Sequence, residues 1–419
     1  PRFNPRHVLV ARGRAMSSVL PRRFAEEVVR LEAAHDGGQL YTLLRSPQEP
    51  DRCAAVARQR TGSPFALDLL NVWNGDTSEE SLEVACSAVR RWSAAYGGDG
   101  TTRWMAAPIM WLCSSARRLS ETLDASRPAK KRGTSEDFDG ACSEQFKKKV
   151  VEMLREQFQK LHRDRERREG CLAVCCDLLR LYFSLGQPSQ CSFLFAAITQ
   201  AQKGDSFDVD GLPKALAVTL FFLWGKHLVL EGNVVGAEEK LGWALKHCPK
   251  QEKVNRRSIL RYLVPCGLRM GRYPTRALLE ANGLEHLCGL ACAVANGDAK
   301  TFALEFEQHE ASMIRAGTYL FVEKLKLLVF RNLCCQVHRY VASEMERAGK
   351  AGQEHKQDLS HYERAFSWQD SCDADETICI LANLMYIGAI RGYMSDEHHK
   401  IVFSKDAPFP APALWCAKA

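Results

Sequence analysis

The stretch LFFLWGKHLVLEGNVVGAEEKLGWALKHCP, residues 220–249, constrains the fold more than any other part of the chain. Its apolar residues recur every three or four positions on both sides of Gly232, which is the period of two amphipathic helices. Small residues such as Ala237 and Ala244 let the two helices approach closely, and Pro249 closes the second one. Such a hairpin cannot bury its apolar face alone, so neighbouring hairpins must stack on it.

Similar hairpins are predicted along most of the chain. Residues 182–201 fit a weaker copy of the same unit, and helical spacing continues on both sides of them. Together these segments predict an all-α fold, a TPR-like α-solenoid of helical hairpins. Within it we place N-terminal hairpins at 20–125, an exposed charged loop at 126–145 and TPR-like repeats at 146–315.

The character of the sequence changes near residue 316. Residues 318–341 predict one long, regular helix, and the stretch that follows, 343–368, is polar. Residues 373–392 predict another helix, with Asp373 or Asp375 placed to cap its start.

Two short strand-like runs follow this helix. Tyr393 and Met394 form the first run, and residues 401–403 form the second, with a polar tip between them. Helices followed by such a hairpin are the layout of a winged helix. We therefore expect the solenoid to be capped by a C-terminal winged helix with a small β-hairpin at 316–405, followed by a tail at 406–419.

Four stretches of the sequence resemble one branch of the PCI-domain family. They are HEASMIRAGTYLFVEKLKLLVFRNL, RRSILRYLVPCGLRMGRYPTRALL, CILANLMYIGAIRGYMSDEHHKIVFSK and the closing PFP. That branch is the PCI subunit of the nuclear-pore-associated transcription-and-mRNA-export complex. The resemblance is strongest over 190–343 and 373–410 and is traceable back to about residue 20, whereas 126–145 and 343–368 depart from the pattern.

This resemblance implies a non-enzymatic scaffold that acts in the nucleus within a hetero-oligomer. Proteins of that branch pair with a larger, GANP-like PCI subunit through adjoining winged helices, and a small acidic protein shared with the proteasome lid clasps them. Their paired winged helices present a basic surface that binds RNA and DNA without sequence preference. A second reading within the same fold is a subunit of a proteasome-lid, signalosome or translation-initiation assembly, where the winged helix serves assembly only.

Cationic and imidazole side chains cluster in the predicted winged helix, where they could lie along a phosphate backbone. Ordinary solubilising charges would look the same in the sequence, and nothing identifies side chains aimed at base edges. The candidate nucleic-acid contacts are Lys324, Lys326, Arg331, Arg339, Arg391, His398, His399, Lys400 and Lys405. The candidate partner contacts are Phe403, Phe409 and Trp415. For Phe403 we favour packing on its own domain.

The sequence offers no catalytic residue and no metal or cofactor site. His398 and His399 are neighbours in a hairpin and so point to opposite faces, and the chain contains no CxxC pair. We find no P-loop, GxSxG or HExxH signature. The 17 cysteines lie in apolar helical segments, which predicts buried reduced thiols rather than a disulfide framework.

Charge and hydropathy bound the remaining possibilities. The net charge of +7 permits a polyanionic partner without requiring one. No apolar run reaches the roughly 18 residues of a membrane span.

Six arginines precede the first acid, Glu26, which could mark a transit peptide or a chain whose natural start is Met16. We expect 1–19 to be a disordered basic extension, and PAKKR at 128–132 resembles a nuclear-import signal.

Overall fold

In a computed structural model of the chain, helical hairpins follow one another and end in a small module of three helices and a sheet. The structure describes residues 21–45, 63–126, 144–162, 164, 166–200, 211–349, 352–395 and 397–415. The basic extension at 1–19, most of the loop at 126–145 and the PAKKR stretch lie outside these residues. The predicted class, all-α hairpins with a C-terminal winged helix, is confirmed.

The chain divides into two units, residues 1–216 and 217–419, so the division falls inside the segment predicted as one helical part, 146–315. The described helices of the first unit are α1 (Pro21–Ala33), α2 (Gly37–Leu44), α3 (Pro64–Asn74), α4 (Glu79–Ala95), α5 (Ala106–Ser126), α6 (Gln145–His162), α7 (Arg168–Ser184) and α8 (Pro188–Gln200), with a 3-10 turn at Arg103–Met105.

A buried acid ties two helices of the first unit together. Asp177 on α7 is fully buried. Its carboxylate accepts hydrogen bonds from Ser114 Oγ at 2.9 Å and from Arg117 Nε at 2.8 Å, both on α5. Arg180 Nη1 donates a further bond at 3.1 Å. Because a buried charge is tolerated only when it is paired and hydrogen-bonded, this network fixes α5 against α7.

Helix α9 (Lys214–Leu230) leads into the second unit. The helices that follow are α10 (Val234–His247), α11 (Lys253–Arg269), α12 (Arg276–Ala281), α13 (Cys288–Asn296), α14 (Ala299–Ala316) and α15 (Tyr319–Glu323), with a 3-10 turn at Glu285–Leu287. In the α9–α10 hairpin, Gly232 adopts a left-handed φ of 78° at the turn, and Asn233 caps α10 by accepting from the Gly236 amide. Ala237 and Ala244 are fully buried, as the repeat pattern predicts.

The winged helix begins with α16 (Lys326–Arg347) and continues through β1 (Lys356–Asp358), α17 (Leu359–Asp370), α18 (Ala374–Tyr386), β2 (Gly392–Ser395) and β3 (Lys400–Phe403). Asp373 caps α18 in a capping box with Glu376, which confirms the predicted start of that helix. Leu381 and Leu384 are buried on its inner side, and Ile390, which follows the end of the helix, is buried as well.

Two details of the winged helix correct the sequence analysis. The helix predicted over 318–341 is interrupted at Lys324 and Leu325, so α15 ends before α16 begins. The polar stretch 343–368 contains the end of α16, the strand β1 and most of α17. Because β1 pairs with β3, the predicted two-stranded hairpin is part of a three-stranded antiparallel sheet with the order β1-β3-β2.

The C-terminal tail packs back on the second unit. The Arg391 amide donates to the carbonyl of Pro408 at 2.8 Å, and Arg331 Nη2 donates to the carbonyls of Phe409 and Pro410 at 2.9 and 3.0 Å. A 3-10 turn at Pro412–Leu414 then delivers Trp415 to the apolar core. The tail is therefore an integral part of the unit.

The described cysteines are free thiols, and most of them are buried. Burial raises the pKa of Cys171 and of Cys176 to about 12, so these thiols stay protonated. The expectation of buried thiols is wrong for Cys292 and Cys379, which are exposed. Among the described helices, none is long and apolar enough to cross a membrane.

Candidate nucleic-acid interface

The sheet of the winged helix presents one face outward. Lys356 of β1 and Tyr393 of β2 both pair with Val402 of the central strand β3. Directly paired residues of antiparallel strands lie on the same face of a sheet. Ile401 and Phe403, which alternate with Val402, are buried beneath the opposite face. The side chains of Lys356 and Tyr393 are exposed and therefore point away from the core.

Two further cations join this face. Lys400 lies two residues before Val402 and thus on the same side of β3. The Arg391 carbonyl accepts a hydrogen bond from the Ser404 amide at 2.8 Å, so strand pairing continues one residue beyond β2, and alternation places Arg391 on the side of Tyr393. We call the set Arg391, Tyr393, Lys356, Lys400 and Val402 the outer wing face.

One acid lies on the same side of the sheet. Asp358 pairs with Lys400 across β1 and β3 and caps α17, where its carboxylate accepts from the Ser360 amide at 3.0 Å. Hydrogen bonds from Ser360 lower the pKa of Asp358, so the carboxylate is ionised near neutral pH and partly offsets Lys400. Within the described chain, the cations of Arg391, Lys356 and Lys400 form no ion pair, and the face keeps a positive balance.

The other predicted cations differ from one another in their contacts. Lys326 pairs with Asp370 at 2.8 Å. Arg331 is held by the tail carbonyls, its guanidinium lies 5.5 Å from the ring of Phe409, and burial lowers its pKa. Arg331 therefore has a structural contact in place of the predicted phosphate contact. The side chains of Lys324, Arg339 and Lys405 are exposed and have no ion pair in the described ranges.

The two histidines lie at the tip between β2 and β3. His398 and His399 are both exposed, and His399 has a left-handed φ of 46°. His399 Nε2 lies 3.3 Å from Glu363 Oε1, so this imidazole lies beside α17, the second helix of the module. Among the residues that the structure describes, no group of three His, Cys, Asp or Glu side chains is placed to hold a metal ion.

The predicted partner contacts lie inside the fold rather than on its surface. Phe403 is 2% exposed and Trp415 is 4% exposed, and both belong to the core of the second unit. Phe409 is half-buried, with its ring centroid 5.5 Å from that of Phe403 and 5.5 Å from that of His338. Phe403 packs on its own domain, which is the alternative that the sequence analysis favours for it, and the surface placement of Trp415 is corrected, because the tail folds back and buries it.

Helix α18 occupies the place of the recognition helix, yet it is not cationic. It contains no lysine or arginine, and its first turn and cap carry Asp373, Asp375 and Glu376. Its outward side includes Cys379 and the ring of Tyr386, which is 90% exposed. This helix therefore offers a neutral to acidic surface, and the cations of the module lie elsewhere.

Sequence reasoning found Arg391 and Lys400 of the outer wing face but missed Lys356 and Tyr393. Lys356 lies in the polar stretch HKQD, where a three-residue strand leaves almost no periodic signal. For Tyr393 the sequence pattern predicts a strand but does not show which face of the sheet its side chain occupies. The exposed position of Tyr393 could have been deduced, because Ile401 and Phe403 fix the buried side of β3 and the hairpin register follows from it.

Comparison with known proteins gives several relatives. Enhanced ethylene response protein 5 of Arabidopsis thaliana is 30% identical over 323 residues, which are 77% of this chain and 72% of that protein. PCI domain-containing protein 2 of Xenopus laevis is 27% identical over 383 residues, 89% of this chain and 90% of its own. The PCI domain-containing protein 2 homolog of Drosophila melanogaster is 34% identical over 250 residues, 59% of each chain. No family model matches.

Proposed function

Because this chain belongs to the PCI-domain family, we propose that it is a non-enzymatic scaffold subunit of a nuclear, transcription-coupled mRNA-export complex. In this proposal it binds a larger GANP-like PCI subunit and a small acidic subunit of the proteasome-lid type. It also binds RNA or DNA, without sequence specificity, on the outer wing face. The four stretches that resemble the export branch support the first part, and the exposed cations of the outer wing face support the second.

The cations of the outer wing face are the observation that carries nucleic-acid binding. Arg391, Lys356 and Lys400 project from three neighbouring strands, and a phosphate backbone that contacts them releases its condensed counterions. A sheet face of this kind can follow the backbone of any sequence. Base-specific reading would need side chains directed at base edges in a groove, and α18, the helix placed for that task, supplies no cation to hold it against phosphates.

A titration of affinity against salt tests this function. Lys356→Glu combined with Lys400→Glu should lower the affinity of the full chain for mixed-sequence RNA and DNA. It should also flatten the slope of log affinity against log salt, because each lost phosphate contact removes about 0.7 from the slope for single strands and about 0.9 for duplex. Binding can be measured by fluorescence anisotropy of a labelled oligonucleotide.

A matched control carries the same change of charge on a helix of the first unit. Lys148 and Lys160 are exposed on α6 of the first unit, and Lys148→Glu with Lys160→Glu alters the net charge equally. This pair should leave the salt slope close to that of the wild type. If both double variants change the slope alike, or neither does, binding at the outer wing face is ruled out.

A second candidate is an assembly subunit with no nucleic-acid role, as in a proteasome-lid, signalosome or translation-initiation complex. The cation-free outward side of α18, with the exposed ring of Tyr386, favours it, because such a surface suits protein contact better than phosphates. Purification of the natural protein and identification of its stable companions separates the two. A GANP-like companion supports the export complex, and lid, signalosome or initiation-factor subunits support the alternative.

A further inference from the structure

Tyr393 is an exposed aromatic residue surrounded by cations. Its side chain is 62% exposed at the centre of β2. Within the described residues its ring makes no aromatic contact and its hydroxyl makes no hydrogen bond. A ring held on a sheet has few rotatable bonds, so a flat ligand that covers it restricts little additional motion.

The cations lie at distances that suit a polynucleotide around this ring. Neighbouring strands are about 4.8 Å apart, so the backbone of Lys356, two strands away, lies roughly 10 Å from that of Tyr393. Lys400 is the diagonal neighbour of Tyr393 across β2 and β3, about 7 to 8 Å away. Arg391 lies two residues before Tyr393 on its own strand, about 7 Å away. The ring therefore has a positive group on three sides.

The geometry of the module disfavours a duplex as the ligand. A winged helix or helix-turn-helix that grips duplex DNA inserts its recognition helix into the major groove between two phosphate backbones. Here that helix is α18, whose N-terminal turn carries Asp373, Asp375 and Glu376 and which has no lysine or arginine. The carboxylates would face phosphates on entry. On the outer wing face three cations outweigh the one carboxylate described beside them, that of Asp358, so phosphates meet a net positive surface there. A duplex gains less from this face, because its paired bases are stacked on each other and cannot stack on Tyr393.

We propose that the outer wing face binds single-stranded RNA or DNA, with an unpaired base stacked on Tyr393 and the neighbouring phosphates held by Arg391, Lys356 and Lys400. This proposal rests on the nucleic-acid binding proposed above and names its ligand class. Stacking on an aromatic ring tolerates any sequence, because every base has a π-face. RNA and DNA share these faces, so both single strands should bind.

The test uses the full chain with a labelled mixed-sequence single strand, as RNA and as DNA, and with the duplex of the same sequence. The wild type should bind both single strands with higher affinity than it binds the duplex. Tyr393→Thr keeps a β-branched residue suited to the strand and should weaken single-strand binding by roughly ten-fold, with little effect on the duplex. The salt slope should stay as in the wild type, since no charge is removed. Tyr393→Trp, which keeps an aromatic ring at this position, should retain the single-strand affinity of the wild type.

Tyr386→Thr is the matched control, because it removes an exposed tyrosine from α18 and leaves the sheet unchanged. Equal affinity of the wild type for single strand and duplex would overturn the proposal. So would equal losses from Tyr393→Thr and Tyr386→Thr, or a loss at Tyr393 of the same size for duplex. In each of these cases a flattened salt slope in the lysine double variant would still uphold binding at the outer wing face, so the two failures are distinguishable.

Discussion

Gly297 shows at the residue scale how closely two helices meet in the second unit. It ends α13 with a left-handed φ of 63°, and a Cβ placed on it would lie 2.3 Å from the Leu333 amide nitrogen on α16. Gly297→Ala should therefore cost about 3 kcal/mol or more of unfolding free energy, since a left-handed penalty adds to overpacking against backbone. Urea denaturation followed by circular dichroism measures this loss.

The comparison for this variant is Gly349→Ala at the end of α16. Gly349 has a similar φ of 74°, but among the described residues that are not its chain neighbours no atom lies within 4 Å of its added Cβ. Its replacement should cost only about 1 to 2 kcal/mol, the left-handed penalty alone. Equal losses for the two variants would contradict the close approach of α13 and α16.

His338 predicts a dependence of stability on pH. Its ring centroid lies 4.5 Å from that of Phe403, and burial is the main cause that lowers its pKa below the usual 6.5. The unfolded chain then binds the proton more readily than the folded chain. Stability is therefore retained above about pH 6.5 and is lost as the pH falls below it. His338→Leu should reduce the loss between pH 7.5 and 5.5, measured by thermal melts, and an unchanged loss would contradict this account.

At the scale of elements, the C-terminal tail acts as a fixed part of the winged helix. Trp415 is 4% exposed in the core, whereas its neighbour Leu414 is 70% exposed. Trp415→Ala should cost about 3 to 5 kcal/mol of unfolding free energy, as expected for a large buried side chain. Leu414→Ala should stay within about 0.5 kcal/mol. Urea denaturation of the two variants compares them, and a similar cost for both would show that the tail is not docked in solution.

The elements with strong local signals were predictable from the sequence. The α9–α10 hairpin has its turn glycine and small buried residues, and α18 has its capping aspartate and apolar spacing. The strand β1 was not predictable, because three polar residues become a strand only when β3 lies beside them. The break between α15 and α16 has no glycine or proline to mark it, and the local sequence favours helix throughout.

The candidate site was predictable only in part, for a related reason. Arg391 and Lys400 were found because they flank the predicted hairpin. Arg331 resembles them in sequence, but the tail carbonyls engage it, and a contact over 78 residues leaves no local signal. Tyr393 and Lys356 are brought to one face by the pairing of both outer strands with Val402. The spacing of residues within one segment cannot show that side chains from two separate strands lie on the same face.

At the scale of the whole molecule, the division at residue 216 predicts that the second unit can fold by itself. Its core runs from Leu260 on α11 through the winged helix to Trp415. A fragment of residues 211–419, which keeps α9 complete, should give a cooperative thermal transition and a helical circular dichroism spectrum. It should also retain the salt-dependent affinity of the full chain for RNA. A fragment that remains unfolded at neutral pH would contradict the division.

The strand order β1-β3-β2 has a consequence for how tightly a ligand could be held. In a two-stranded wing the hairpin is free to move relative to the helices, and binding of a partner must restrict that motion. Here β1, which lies between α16 and α17, pairs with β3 on the edge opposite to β2 and holds it in the sheet. The backbone positions that carry these groups are thus ordered before a ligand binds, so the entropy cost of ordering the strands falls on folding rather than on association.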